Sequence, residues 1–243
     1  KAIDNLRLTY DLILDSSKEN NPYPVRYTDI GTQVLEAIGV FHILDKRPLE
    51  ARDFYMEKIK DDKEKADTLL NFARKVADKG FFNEAQEVTL NALEVGGKAN
   101  HSRMIIATHL FQLDFYRNFK REDLLFKTAQ DLLSVHKTVP LEDSERDQAV
   151  DRLQAYAGWL QERLSKTKNE TDNLAGKSER ILAYFDILAG INPVRTPWYR
   201  HYQGETLYVV DQDARAAKVY SISFDLLEKD QTKEKEIDEL RRK

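Results

Sequence analysis

Residues 66–98, ADTLLNFARKVADKGFFNEAQEVTLNALEVGGK, contain the pattern of two amphipathic helices joined by a small-residue turn. The first helix places apolar side chains at the i, i+3, i+4, i+7 spacing that defines one helix face. These residues are Leu69, Phe72, Ala73 and Val76. A second apolar set consists of Phe82, Ala85, Val88, Leu90, Ala92, Leu93 and Val95. Gly80 is predicted to end the first helix and Gly96-Gly97 the second, so the stretch predicts a helical hairpin.

This hairpin resembles a tetratricopeptide repeat (TPR). The matching positions are Leu69 at 4, Ala73 at 8, Gly80 at 15, Phe82 at 17, Ala85 at 20 and Ala92 at 27. The alanines have a mechanical reason, because only small side chains let two helix axes approach closely. Gly97 departs from the pattern, since it stands where the family usually has proline.

The register of this repeat extends towards the N-terminus. Leu35, Gly39 and Ala51 stand 34 residues before Leu69, Ala73 and Ala85. In the other direction Ala107 stands 34 residues after Ala73 and predicts a third pair. Its second helix needs about three inserted residues to align Ala129 with Ala92, so the match becomes looser towards the C-terminus.

We therefore predict an all-α, TPR-like solenoid of about four or five helix pairs. Residues 1–25 are interpreted as an N-terminal capping helix and linker, and 26–140 as TPR-like repeats. Residues 141–230 are predicted to be degenerate repeats, followed by a charged C-terminal helix over 231–243.

The segment 197–230 has two interpretations. The repeat register favours a fifth helical hairpin, with Gly204, Leu207, Ala216 and Tyr220 at packing positions. The β-branched and aromatic residues within 205–224 instead suit two strands about a turn. We favour the helices because they agree with the rest of the chain.

Composition excludes several classes of function. The chain has 243 residues, a net charge of −4 and no cysteine. The charge does not favour nucleic acid, and the lack of cysteine excludes disulfides and thiolate chemistry. No apolar run is long enough to span a membrane, which predicts a soluble protein. The compartment is unknown, and an extracytoplasmic or periplasmic location is compatible if a signal peptide was removed.

Catalytic and metal-binding patterns are missing from the sequence. The five histidines show no H-E-x-x-H or other ligand spacing, and Gly96-Gly97 follows a helix where a phosphate loop would precede one. Carboxylates lie mostly in charged stretches where no pocket would raise a pKa. We predict no enzyme activity, no cofactor and no metal.

The resemblance to TPRs implies a binding surface on the first helix of each pair. The residues it implies are Glu36, Asp67, Leu70, Arg74, Met104, Phe111, Trp198, His201 and Tyr208. The alternative for each is packing against a neighbouring helix. Trp198 is equally compatible with a partner contact and with a capping core, whereas Trp159 is expected in the core.

The sequence thus predicts a non-enzymatic scaffold for protein–protein interaction and complex assembly, with a protein or peptide partner or self-association. One alternative is a structural subunit of an extracytoplasmic or surface assembly, such as a filament, sheath or secretion system. Another is a hydrolase or metal enzyme in a degenerate helical fold.

Overall fold

The protein is all-α throughout residues 1–16, 24–167 and 173–229, which are the residues that the computed structural model describes. Only the backbone is described at 15, 16 and 24–29. These residues form eleven α-helices and one short 3₁₀ helix, and none forms a strand. The predicted all-α helical-repeat class is confirmed.

The chain forms two compact units, Lys1–Phe111 and Gln112–Lys243. The predicted divisions after residues 25, 140 and 230 stay predictions. Most of the predicted linker after the first helix, and all of the charged helix over 231–243, lie outside the described residues.

The N-terminal unit contains five complete helices and the start of a sixth. They are α1 (Ala2–Ser16), α2 (Pro24–Leu44), α3 (Pro48–Lys58), α4 (Asp62–Asp78), α5 (Phe82–Lys98) and α6 (Ser102–Asn118). The rest of α6 and five further helices belong to the C-terminal unit. These are α7 (Glu122–Thr138), α8 (Asp143–Lys166), α9 (Leu174–Ile191), α10 (Thr196–Val209) and α11 (Asp213–Glu228), with the 3₁₀ helix Pro193–Arg195 before α10.

The predicted hairpin is formed by α4 and α5, which pack against each other. Asp61 caps α4 by accepting a hydrogen bond from the Glu64 amide at 2.8 Å. The three alanines of the repeat pattern, Ala73, Ala85 and Ala92, have no exposed surface. Their burial agrees with the predicted close approach of the two helices.

Several helices end at a residue in the left-handed conformation. Gly80 has φ +83° after α4, and the non-glycine examples are Lys46, Asn100, Lys120 and Asp211. After α5, the His101 amide donates to the Gly96 carbonyl at 2.9 Å and the Asn100 amide to the Gly97 carbonyl at 3.2 Å. This is the Schellman pattern, which satisfies carbonyls that have no partner within the helix.

The prediction that Gly96-Gly97 ends α5 is therefore wrong by about one residue, because α5 continues to Lys98. Gly96 is buried, and a Cβ atom there would collide with the Met104 Cε. Gly96 thus permits a close approach of the Met104 side chain, while Asn100 supplies the left-handed stop.

Helix lengths explain why the sequence register becomes looser. Helices α4 to α7 each have 17 residues and begin at positions 62, 82, 102 and 122, a period of 40 residues per pair. By contrast, α3 has 11 residues and begins 34 before α5. The 34-residue register is thus consistent towards the N-terminus, whereas the same register for the third pair is wrong by six residues.

Gly39 on α2 has the packing role that its alignment with Ala73 predicts. A Cβ atom at Gly39 would contact the Tyr55 hydroxyl and the Phe72 ring. The Tyr55 hydroxyl donates to the Leu35 carbonyl at 2.7 Å, and burial raises the pKa of Tyr55. The Tyr55 and Phe72 rings meet edge to face with centroids 5.3 Å apart.

In the C-terminal unit, α10 and α11 form the predicted fifth helical hairpin, and the β-hairpin alternative over 205–224 is wrong. Leu207 and Ala216, one from each helix, are buried together with Leu182 of α9. A Cβ atom at Gly204 would lie 2.5 Å from the Tyr220 ring, so glycine is needed where α11 crosses α10. Tertiary packing overrides the local β propensity of this segment.

Candidate functional site

A groove on the N-terminal unit combines residues of the first helices α2 and α4, as the repeat pattern predicts. Its cavity has a volume of about 420 Å³. Glu36 of α2 and Asp67 of α4, two of the predicted contact residues, line it together with Glu64 and Lys75. Three carboxylates and one ammonium group give the groove an acidic character.

Ion pairs and ring contacts connect the residues around this groove. The Lys75 ammonium lies 3.2 Å from the Glu36 carboxylate. The His101 Nε2 lies 3.1 Å from the Asp67 carboxylate, which joins residues 34 positions apart. The Arg74 guanidinium lies 5.9 Å from the centroid of the Phe111 ring. Four predicted contact residues therefore take part in contacts that join α2, α4 and α6, with His101 standing just before α6.

Two other predicted contact residues of this unit are buried. Leu70 is 4% exposed and Met104 is 2% exposed. Neither side chain lines the groove, so this structure assigns both residues to the core. For Met104 the physical reason is the longer α5, which shifts the register of α6 by six residues.

The C-terminal unit has a larger cleft of about 1040 Å³ between the end of α8 and the hairpin α10–α11. His201 and Tyr208, both predicted contact residues, line it. Tyr208 is 66% exposed. Trp198 instead packs with Phe224 against the buried Leu227, which is the capping-core arrangement that the sequence left open.

His201 is the least usual group in this cleft. Its side chain is only 7% exposed, and its Nε2 atom has no hydrogen-bond partner. The Glu205 carboxylate lies 3.3 Å from that atom, close enough for an ion pair with a protonated imidazole, but the pair does not meet hydrogen-bond geometry. We therefore treat the Nε2 atom of His201 as having no hydrogen bond, because a hydrogen bond requires suitable angles as well as a short distance.

Trp159 is a surface residue that sequence reasoning missed, and its predicted core position is wrong. Its side chain is 47% exposed, stacks on Tyr156 at 5.6 Å and lies under the Arg163 guanidinium. It lines a cavity of about 600 Å³ together with Arg117 and Lys120. Arg163 four residues later on the same helix was the available signal of a solvent-facing position.

Two kinds of feature, a metal-binding cluster and a membrane-spanning helix, are absent from the residues that the structure describes. Within 1–16, 24–167 and 173–229, His, Asp and Glu side chains form no group of three or more suited to a metal ion. In the same residues no helix combines the length and apolarity needed to cross a membrane. The predictions of no cofactor and no enzyme activity stay predictions.

The fold, the groove of α2 and α4 and the cleft beside α10–α11 define an all-α helical-repeat protein with cavities between its helices. No protein-family model matches the chain, and no curated protein matches it. Among solved structures, the chain is similar to BtubC (BKLC) from P. vanneervenii, with 9% sequence identity, a TM-score of 0.41 and coverage of 92% of this chain and 90% of that chain. A likeness this distant carries no conclusion about function.

Proposed function

We propose that this protein is a non-enzymatic, TPR-like helical scaffold that binds a protein partner through the groove of α2 and α4. The partner would present basic side chains, because the groove contains more carboxylates than ammonium groups. Glu36 and Asp67 would contact it directly, and Arg74 with Phe111 would extend the surface.

The observation that carries this proposal is the agreement between repeat register and position. The TPR pattern predicts Glu36 and Asp67 on the binding face, and both line one cavity. Their side chains are 59% and 53% exposed. Both carboxylates are therefore accessible to a partner from solvent.

The test is capture of partners from the native source, with identification by mass spectrometry and a groove variant beside the wild type. Replacing both groove acids, E36K with D67K, reverses two charges and should remove the specific partner. Retention of every captured protein by the folded variant would contradict the groove proposal.

The matched control is D53K with E57K on α3. These residues lie on a second helix of a pair, are 67% and 72% exposed, and give the same change of net charge. Capture should be unchanged in this control. Equal loss in both variants would show a general charge effect with no groove specificity.

Self-association is the second candidate, and exposed apolar side chains favour it. On α1, Leu8 and Leu12 are 61% and 59% exposed, and on α2 Leu44 is 66% exposed. All three lie on the two N-terminal helices, where an exposed apolar surface would suit a contact with another protein chain. A second copy of the chain would bury them.

Light scattering at increasing protein concentration tests this candidate. The wild type should form a dimer or larger assembly that L8E with L44E reduces to a monomer. The control V194E with I222E changes two apolar residues of the C-terminal unit that are 71% and 41% exposed. A monomeric wild type at every concentration would contradict self-association.

A further inference from the structure

We propose that the cleft between the end of α8 and the hairpin α10–α11 is a second binding site, which takes an arginine side chain of a peptide. This site lies within the C-terminal unit and does not depend on the groove of α2 and α4. Its basis is a buried acceptor, an unneutralised carboxylate and aromatic rings that line the same cleft.

The buried acceptor is the Nε2 atom of His201. A buried polar atom without a hydrogen bond is energetically unfavourable, which favours a ligand that brings a donor close to it. With the imidazole proton on Nδ1, Nε2 accepts a hydrogen bond. The Glu205 carboxylate, which is 41% exposed, lies 3.3 Å from this atom, so a donor that binds the carboxylate from the cleft stands next to the imidazole.

The charge of the cleft favours a cation. Glu162 is neutralised by Lys166, whose ammonium lies 2.5 Å from its carboxylate. Glu205 has no Lys or Arg partner among the described residues, and its side chain is 41% exposed. One negative charge therefore remains available at the wall of the cleft.

Aromatic rings complete the site. Tyr208, Tyr220 and Phe224 line the cleft, and the Tyr220 ring lies 5.2 Å from the His201 ring. Rings attract cations through their negative faces, and the planar guanidinium stacks on them better than an ammonium group. Arginine also presents several N–H donors in a fixed fork, which suits two neighbouring acceptors.

The cleft volume of about 1040 Å³ exceeds what a single inorganic cation needs and falls near the upper end of ligand pockets. It has room for an arginine side chain and the flanking peptide backbone. An extended peptide is therefore the occupant that agrees with the volume, the charge and the rings together.

Titration by two-dimensional NMR tests the proposal with the full chain and the peptide acetyl-Gly-Arg-Gly-amide. The peptide should cause saturable shifts at the amides of Glu205, Tyr208 and Tyr220. The same peptide with citrulline, which keeps the shape but loses the charge, should bind at least tenfold more weakly.

Three variants make the result specific. Glu205→Gln should weaken binding of the arginine peptide about tenfold, and Tyr208→Leu about threefold. Glu179→Gln removes an acid on α9 that does not line the cleft, and should bind like the wild type. Equal binding of the two peptides, no saturable shifts in the cleft, or equal losses in the Glu179 and Glu205 variants would overturn the proposal.

Discussion

The hairpins α4–α5 and α10–α11 both follow the repeat register, but they solve close helix packing differently. In α4–α5, alanines at the contact positions are fully buried, so both helices present small side chains. In α10–α11, Gly204 alone makes room for the large ring of Tyr220. The same Tyr220 ring lines the cleft, so the second solution places an aromatic side chain at a surface that can bind a ligand.

The largest expected change in stability is at the contact between the alanines of α4 and α5. Ala73→Leu adds three carbon atoms at a position with no exposed surface and should destabilise the protein by about 3 kcal/mol through overpacking. Urea unfolding followed by far-UV circular dichroism measures the change. The control Ala217→Leu, on an exposed position of α11, should stay within about 0.5 kcal/mol of the wild type. A similarly small loss for Ala73→Leu would show that α4 and α5 are not in close contact there.

A smaller effect is expected at the glycine–tyrosine contact. Gly204→Ala places a Cβ atom 2.5 Å from the Tyr220 ring, and we expect a net loss of about 1–2 kcal/mol. Gly158→Ala is the matched control, because a Cβ atom there meets nothing within 4 Å. It should stabilise α8 by about 0.5–1 kcal/mol. Tryptophan fluorescence during urea unfolding follows both, since Trp159 and Trp198 lie in this unit. Changes of the same sign would contradict the packing at Gly204.

The smallest effect concerns a buried histidine of the N-terminal unit. His42 is 1% exposed and its Nε2 atom lies 3.1 Å from the Arg7 guanidinium. Burial lowers the pKa of His42 below its usual 6.5, and the positive charge of Arg7 lowers it further, against an opposing effect of Glu50. The unfolded chain therefore binds more protons than the folded one just below pH 6.5, and stability should fall as pH falls through that range.

Urea unfolding at pH 7.5 and pH 5.5 measures this dependence. His42→Gln should lose less stability between the two pH values than the wild type. Burial also lowers the pKa of His136, with Arg146 contributing, so His136→Gln gives the corresponding value for the C-terminal unit. A wild-type stability that rises on acidification would contradict both assignments.

The all-α fold could be predicted because apolar spacing and small residues agree over several helices. The period of 40 residues could not, since the left-handed residue that follows α5 is Asn100, whose conformation the sequence does not signal as Gly80 does. Gly96-Gly97 indicated the wrong helix end, because glycine occurs both at helix ends and at close contacts between helices.

The candidate site residues also divide into those that lie where the sequence predicts them and those that do not. Glu36 and Asp67 were predicted in register and lie at the groove. Met104 was placed by a 34-residue step where the structure has 40, and is buried. The exposed Trp159 was missed because its helix has apolar residues on several sides, so periodicity alone did not define the solvent-facing side.

Hydrogen–deuterium exchange of the full chain, alone and with the captured partner, shows directly which helices the partner covers. Partner binding in the groove predicts slower exchange on α2 and α4, the first helices that form the groove, with α3 and α5 unchanged. Protection confined to α3 and α5, or no protection on any of the four helices, would contradict partner binding through this groove.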